Sequence, residues 1–178
     1  MLIQKEKFFP SLDFILPELQ ATKLYSNKEF NEKFPNDYGT WPGYRSENLP
    51  KTNKSLSSFF MYLLQEIDYF KGKNCSASLY LHLRTPEDEK DEWIHIDSMG
   101  CDMSILVYLN ETNLNSGTYL YNDNKQVIND IKYVQNRFVA YKSNYKHKGY
   151  GYFGNNTLNG RLTLNAFVTF ERGKNGNK

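Results

Sequence analysis

Cysteine is scarce: Cys75 and Cys101 are the two in 178 residues. That is too few for a disulfide-stapled secreted scaffold or a cysteine-rich zinc module, so a reducing compartment, the cytoplasm, is the expected location. Long apolar runs are missing as well. None approaches the ~20 residues of a membrane span, and Met1 to Lys7 lacks the apolar stretch of a signal peptide. The chain therefore reads as soluble and unprocessed, with no membrane partner. Nor does one sign of charge dominate. Lys and Arg number 22 against 20 Asp and Glu, with no basic block, which removes the electrostatic footprint expected of a nucleic-acid binder. Repeats and low-complexity tracts are absent, and only the end, Gly173 to Lys178, has the composition of a frayed tail. The length suits a single domain, 1–178, able to bury a core without staples.

Aromatic residues are abundant: 14 Tyr, 12 Phe and 2 Trp bring the aromatic share to 16%. Such side chains fit half-buried pleated surfaces and favour a β-rich core. Residues 1–72 read as an N-terminal extension packed on that core. Its first fifty residues are punctuated by Pro10, Pro17, Pro35, Pro42 and Pro50, which interrupt any long element. Leu56, Phe59, Phe60, Leu63, Leu64, Ile67 and Phe70 then recur at the spacing of one apolar helix face, with Gly72 as a stop. The expectation is a helix over 55–71, packed on the outside of a sheet.

After Gly72 the period becomes two. Ser76, Ser78, Tyr80, His82 and Arg84 share one strand face, and Ala77, Leu79, Leu81 and Leu83 the other. Further strands are expected at Glu92 to Ser98, Met103 to Asn110, Thr118 to Tyr121, Arg137 to Lys142 and Arg161 to Phe170, with Asn113 to Gly117 as a turn. That count suits a sandwich or a cupin-like jelly roll over residues 75–170, mainly β with an N-terminal helix.

Within this frame His95 and Asp97 are two residues apart, so on a strand they face the same side and can chelate. By itself such a pair is more often a surface hydrogen bond. Its position between strands, with His147 further down the chain, adds a second imidazole. Two imidazoles and a carboxylate form the facial triad of non-haem Fe(II) oxygenases, with positions open for oxidant and co-substrate. His82 reads instead as a satisfied core or rim histidine with no role at a metal.

The order His95-x-Asp97, then His147, then Arg161-Leu162-Thr163 in an apolar strand resembles the 2-oxoglutarate/Fe(II)-dependent dioxygenase superfamily over residues 75–170. Ser116-Gly117-Thr118-Tyr119-Leu120-Tyr121 is similar to the Gly-Gly-Thr turn and strand of its prolyl-hydroxylase-like branch. Trp41-Pro42-Gly43-Tyr44-Arg45-Ser46 is similar to a loop of small bacterial and phage members. The resemblance implies a double-stranded β-helix in which His95, Asp97 and His147 hold Fe(II), and Arg161 with Thr163 anchors the distal carboxylate of 2-oxoglutarate. Tyr80 is a further candidate contact to 2-oxoglutarate, with a core tyrosine as the alternative. An Arg fork suits a dicarboxylate on physical grounds too; an isolated Arg is more often a surface salt bridge, and it is the triad upstream that reverses the balance.

The implied activity is hydroxylation of a small-molecule or peptidyl substrate using O2, with release of succinate and CO2. Trp41, Tyr44 and Arg45 are the candidate substrate contacts, in a loop that otherwise plugs the rim of the core. Thr163 stands where nucleic-acid demethylases of the superfamily carry Asn, which again disfavours nucleic acid. Two other readings remain: a jelly-roll binding or structural module that holds no iron, and a zinc hydrolase built on the same triad. The glycine-rich segment 148–160 reads equally as a lid or a loose turn.

Overall fold

The computed structural model describes residues 1–37, 39–91, 93–97 and 100–171. The elements run β1 (Leu2–Lys5), α1 (Leu16–Ala21), β2 (Tyr25–Ser26), α2 (Asn27–Lys33), β3 (Tyr44–Arg45), α3 (Leu49–Thr52), α4 (Lys54–Gln65), β4 (Cys75–Arg84), β5 (Met103–Tyr108), β6 (Asn113–Tyr121), β7 (Val127–Tyr133), β8 (Phe138–Lys142), β9 (Lys146–Tyr150) and β10 (Arg161–Phe170). Seven strands form a major sheet in the order β1-β8-β5-β10-β4-β3-β2, faced by a minor sheet β7-β6-β9. Every pairing is antiparallel, which makes the architecture a mainly β jelly roll. Among the described residues no helix is long and apolar enough to cross a membrane.

Alternation in β4 and β10 sorts the two faces of the major sheet. Leu79, Leu81, Leu83, Leu162, Leu164 and Ala166 point outward into the largest apolar cluster, where α4 contributes Leu56, Phe60 and Leu64. Burying such a leucine or phenylalanine is worth about 1.5–3 kcal/mol, which explains why the amphipathic helix lies across this face. Between the two sheets a second cluster of Leu106, Tyr108, Leu120, Ile131, Tyr133, Val139 and Tyr141 closes one part of the roll. The remaining inner face is polar.

The helix is shorter than its apolar stripe. Asn53 caps it by accepting from the Leu56 N–H, and it ends at Gln65, short of the expected residue 71. Beyond, the bonding tightens to i→i+3 contacts such as Ile67 N–H to Leu64 O, which still delivers Ile67 and Phe70 to the core. The first fifty residues are more regular than their prolines imply: they supply α1, α2, the start of α3 and three strands of the major sheet.

Three strand expectations also change. The strand expected over 92–98 is, among its described residues 93–97, an isolated bridge of His95 to His147; Glu92 and Ser98 lie outside the described residues. Residues 113–117, expected as a turn, begin β6 through an irregular register. Strands β7 and β9 were not expected at all; β7 exposes Val127 and Ile128, and β9 is nearly all polar, so neither shows clean alternation. The segment after β9 is a hydrogen-bonded turn: Asn159 accepts from the Asn155 and Asn156 N–H groups, and Asn110 donates to Thr157 O and Gly160 O.

Candidate active site

The polar inner face lines a cavity of about 550 Å³ between the sheets, within the ~300–1,000 Å³ of small-molecule sites. Its metal-ligating corner is fixed by backbone. His95 and His147 exchange both N–H···O bonds (3.0 and 2.8 Å), and the Asp97 N–H donates to Ser143 O at 3.2 Å. This holds the 93–97 segment against β9 and sets the two imidazoles side by side, ring centroids 4.3 Å apart. The ligand atoms of His95, Asp97 and His147 all lie within 4.8 Å of one another. Nε2 of His95 is 4.0 Å and Nε2 of His147 3.6 Å from the Asp97 carboxylate oxygens.

Both Nδ1 atoms face carbonyls at 3.0 Å, Trp93 O for His95 and Tyr145 O for His147. A carbonyl only accepts, so each Nδ1 carries a proton, and Nε2 is the nitrogen that each ring turns to the Asp97 carboxylate. Imidazoles that ligate metals are held in this way. The bare side-chain chemistry, two imidazole nitrogens and one carboxylate, fits a divalent iron with open coordination positions.

On the opposite side of the cavity β10 presents Arg161 and Thr163 on one face. Arg161 is 5% exposed, and its guanidinium donates to Gly117 O at 3.1 Å and Thr118 Oγ1 at 3.2 Å. Its Nε, fully buried, has no hydrogen-bond partner among the described residues. Aromatic rings of Tyr108, Tyr133 and Tyr152 surround it at 5.3 to 5.8 Å. An orphaned N–H on a buried cation is costly unless a ligand accepts from it, and a carboxylate is the acceptor that matches a fork. Thr163 Oγ1 donates to Asn165 Oδ1 at 2.7 Å, leaving its oxygen free to accept. Gly117 sits where a Cβ would overlap the Ile131 carbonyl, so glycine lets β6 approach β7 and hold the Gly117 carbonyl under Arg161.

The other expected residues divide. Trp41 and Arg45 line the cavity. Tyr44, the next residue along β3, points the other way, is 42% exposed and lies outside the cavity lining. Tyr80 stands on the floor, but four residues from the row of Arg161 and Arg84, about 13 Å along the strands. Its hydroxyl donates to the Asp37 carboxylate at 3.1–3.2 Å.

His82 departs from expectation. It is buried on the cavity floor, and its Nε2 has no partner among the described residues, so it is not a satisfied core histidine. Burial first, then the charges of Arg84, Arg45 and Arg161, push its pKa well below the ordinary value, which keeps it neutral. The sequence did place it on the polar face of β4, and only the third dimension reveals the missing partner. Burial likewise raises the Cys101 thiol on the cavity wall and, with Asp97 nearby, the Tyr141 hydroxyl.

The sequence matches no family model and no curated protein. Solved structures do match in fold. A prolyl-4-hydroxylase from Pseudomonas putida superposes with a TM-score of 0.55 at 14% identity, over 97% of this chain and 93% of that one. The non-haem α-ketoglutarate-dependent epimerase SnoN of nogalamycin biosynthesis gives 0.61 at 11%, over 99% and 86%. A 2OG-Fe(II) oxygenase family oxidoreductase from Burkholderia pseudomallei gives 0.61 at 11%, over 94% and 84%. SnoN has also been solved with Fe3+, α-ketoglutarate and nogalamycin RO. The chain thus has the double-stranded β-helix fold of the 2-oxoglutarate/Fe(II) oxygenases.

Proposed function

We propose that the protein is an Fe(II)- and 2-oxoglutarate-dependent oxygenase that oxidises an organic substrate with O2 and releases succinate and CO2. The reading is carried by one observation: two imidazoles locked in the Nδ1–H form converge with Asp97 on a single point. A buried arginine with an unsatisfied Nε shares their cavity. A zinc hydrolase needs the triad but gives no reason for that arginine.

In this reading His95, Asp97 and His147 hold the iron, and Arg161 with Thr163 receives the far carboxylate of 2-oxoglutarate. The bound metal and co-substrate supply the oxidising power for attack on an unactivated C–H bond. The chain supplies placement. Carbonyls of Trp93 and Tyr145 hold the Nδ1–H of each imidazole and so aim its Nε2, and the ring of Tyr141, 5.1 Å from that of His147, walls the ligand from water. Around Arg161 the three tyrosine rings exclude solvent, so its attraction for a carboxylate is less screened than at the surface. Trp41 and Arg45 lie on the substrate side.

Anaerobic titration with Fe(II) tests the ligand set: one ion per chain should bind, and His147→Ala should lose that binding. Retention of wild-type iron affinity by His147→Ala would remove it from the triad.

A further inference from the structure

Besides Arg161 Nε, three further orphaned donors gather on the cavity floor, starting at His82, which pairs across the sheet with Thr163, and running away from Arg161 toward β3. Trp41 Nε1, Arg45 Nε and His82 Nε2 are all buried and have no hydrogen-bond partner among the described residues. They belong together. Arg45 on β3 stands opposite His82 on β4, its guanidinium carbon is 4.4 Å from the Trp41 ring, and the Trp41 and His82 rings are 6.5 Å apart.

The guanidinium also lies 3.4 Å from the Tyr80 ring, so it is clamped between two aromatic side chains, lines the cavity and leaves Nε without a hydrogen-bond partner among the described residues. It forms no salt bridge among the described residues. Stacking on rings offsets part of the cost of desolvating a cation but does not satisfy the in-plane Nε–H. Burial pushes the Arg45 pKa down, the direction expected of a charge that lacks a counter-ion in contact.

We propose that Arg45, together with the indole N–H of Trp41 and His82 in its Nε2–H form, binds the carboxylate of the primary substrate, which is therefore a small carboxylic acid. Every orphaned atom here can donate, so the missing group is an acceptor, and the in-plane edge of a guanidinium is matched by a carboxylate. A monoanion suits the site better than a phosphate dianion. Asp37, held by the Tyr80 hydroxyl, already contributes a negative charge close to Arg45. Arg45, Trp41 and His82 line the same cavity as His95, Asp97 and His147, so this anion site shares it with the metal-ligating corner. What is done to the acid rests on the oxygenase reading; that the acid binds does not.

The test therefore omits both iron and 2-oxoglutarate. Benzoate and its uncharged counterpart benzamide are titrated into the metal-free 15N-labelled chain while the indole N–H resonances are followed. Trp41 and Trp93 are the two tryptophans, and Trp93→Phe assigns them. The expected result is a saturable shift of the Trp41 indole signal, with benzoate at least tenfold tighter than benzamide. Arg45→Gln should abolish the preference and Arg45→Lys restore part of it, while Arg161→Gln retains it. Equal shifts with benzoate and benzamide, or no shift with either, would overturn the proposal, and these outcomes need only the wild-type fold. So would loss of the preference in Arg161→Gln with retention in Arg45→Gln, which would assign the carboxylate to the other arginine. Because neither iron nor 2-oxoglutarate takes part, failure here leaves the oxygenase reading standing, and the converse also holds.

Discussion

Arg161→Ala is the perturbation whose consequences the structure specifies most fully. The side chain is buried, donates twice to β6 through Gly117 O and Thr118 Oγ1, and keeps Nε in reserve. Losing a charge-assisted hydrogen bond costs about 1.5–3 kcal/mol. At about 1.4 kcal/mol per decade, the 2-oxoglutarate concentration for half-maximal succinate formation should rise by roughly tenfold to a hundredfold. Removing the two bonds to β6, each worth about 1 kcal/mol net, should also lower Tm by about 4–8 °C in a chain of this size. The two effects are read separately, by succinate formation against 2-oxoglutarate and by calorimetry. Iron affinity should change little, since no atom of Arg161 belongs to the metal-ligating group. Arg161→Lys should recover part of the affinity, as an ammonium keeps the charge but not the fork. An unchanged 2-oxoglutarate requirement in Arg161→Ala would refute the assignment, whatever happens to Tm.

Gly117→Ala should act on the same contact indirectly. The added methyl meets the Ile131 carbonyl, so β6 must shift away from β7 and carry the Arg161 acceptor with it; overpacking of this kind typically costs about 1–3 kcal/mol. A normal Tm and a normal 2-oxoglutarate requirement together would contradict the geometry. His82 should leave a signature in the pH dependence of stability. Its folded pKa lies well below the ordinary 6.5, so in the metal-free chain the unfolded state takes up the proton first and stability falls as pH drops below about 6.5. The slope approaches about 1.4 kcal/mol per pH unit for one such group. In His82→Gln the acid limb of the Tm profile should flatten, and an identical profile would argue against a buried neutral His82.

The legible parts of the fold were those with a single, uninterrupted period. Leu79, Leu81 and Leu83 alternate with Tyr80, His82 and Arg84, and β10 repeats the pattern, so both strands and their facing were readable. The stripe of α4 was readable as well, but not its end: Ile67 and Phe70 reach the core from i→i+3 turns, which preserve an apolar spacing without continuing the helix. Strand β9 was hidden because Lys146-His147-Lys148-Gly149 has no apolar face. β1 was hidden because four residues paired to β8 carry too little pattern to rise above the neighbouring prolines.

At the candidate site, the chemistry of His95, Asp97 and His147 was visible as residue types and order. Their convergence depends on the backbone bridge between His95 and His147, a pairing that no local spacing encodes. His82 and Tyr80 were ambiguous for a related reason. A histidine or tyrosine on a polar strand face reads the same whether its polar atom is bonded, as with Tyr80 to Asp37, or left waiting, as with His82.

The central claim is that this cavity couples Fe(II), 2-oxoglutarate and O2. It is tested most directly by loading the purified chain anaerobically with Fe(II) and 2-oxoglutarate, admitting O2, and measuring succinate, even with no primary substrate present. The account predicts succinate formation that requires all three components and is lost in Asp97→Ala. No succinate from a chain shown to carry one Fe(II), or equal succinate from Asp97→Ala, would contradict it.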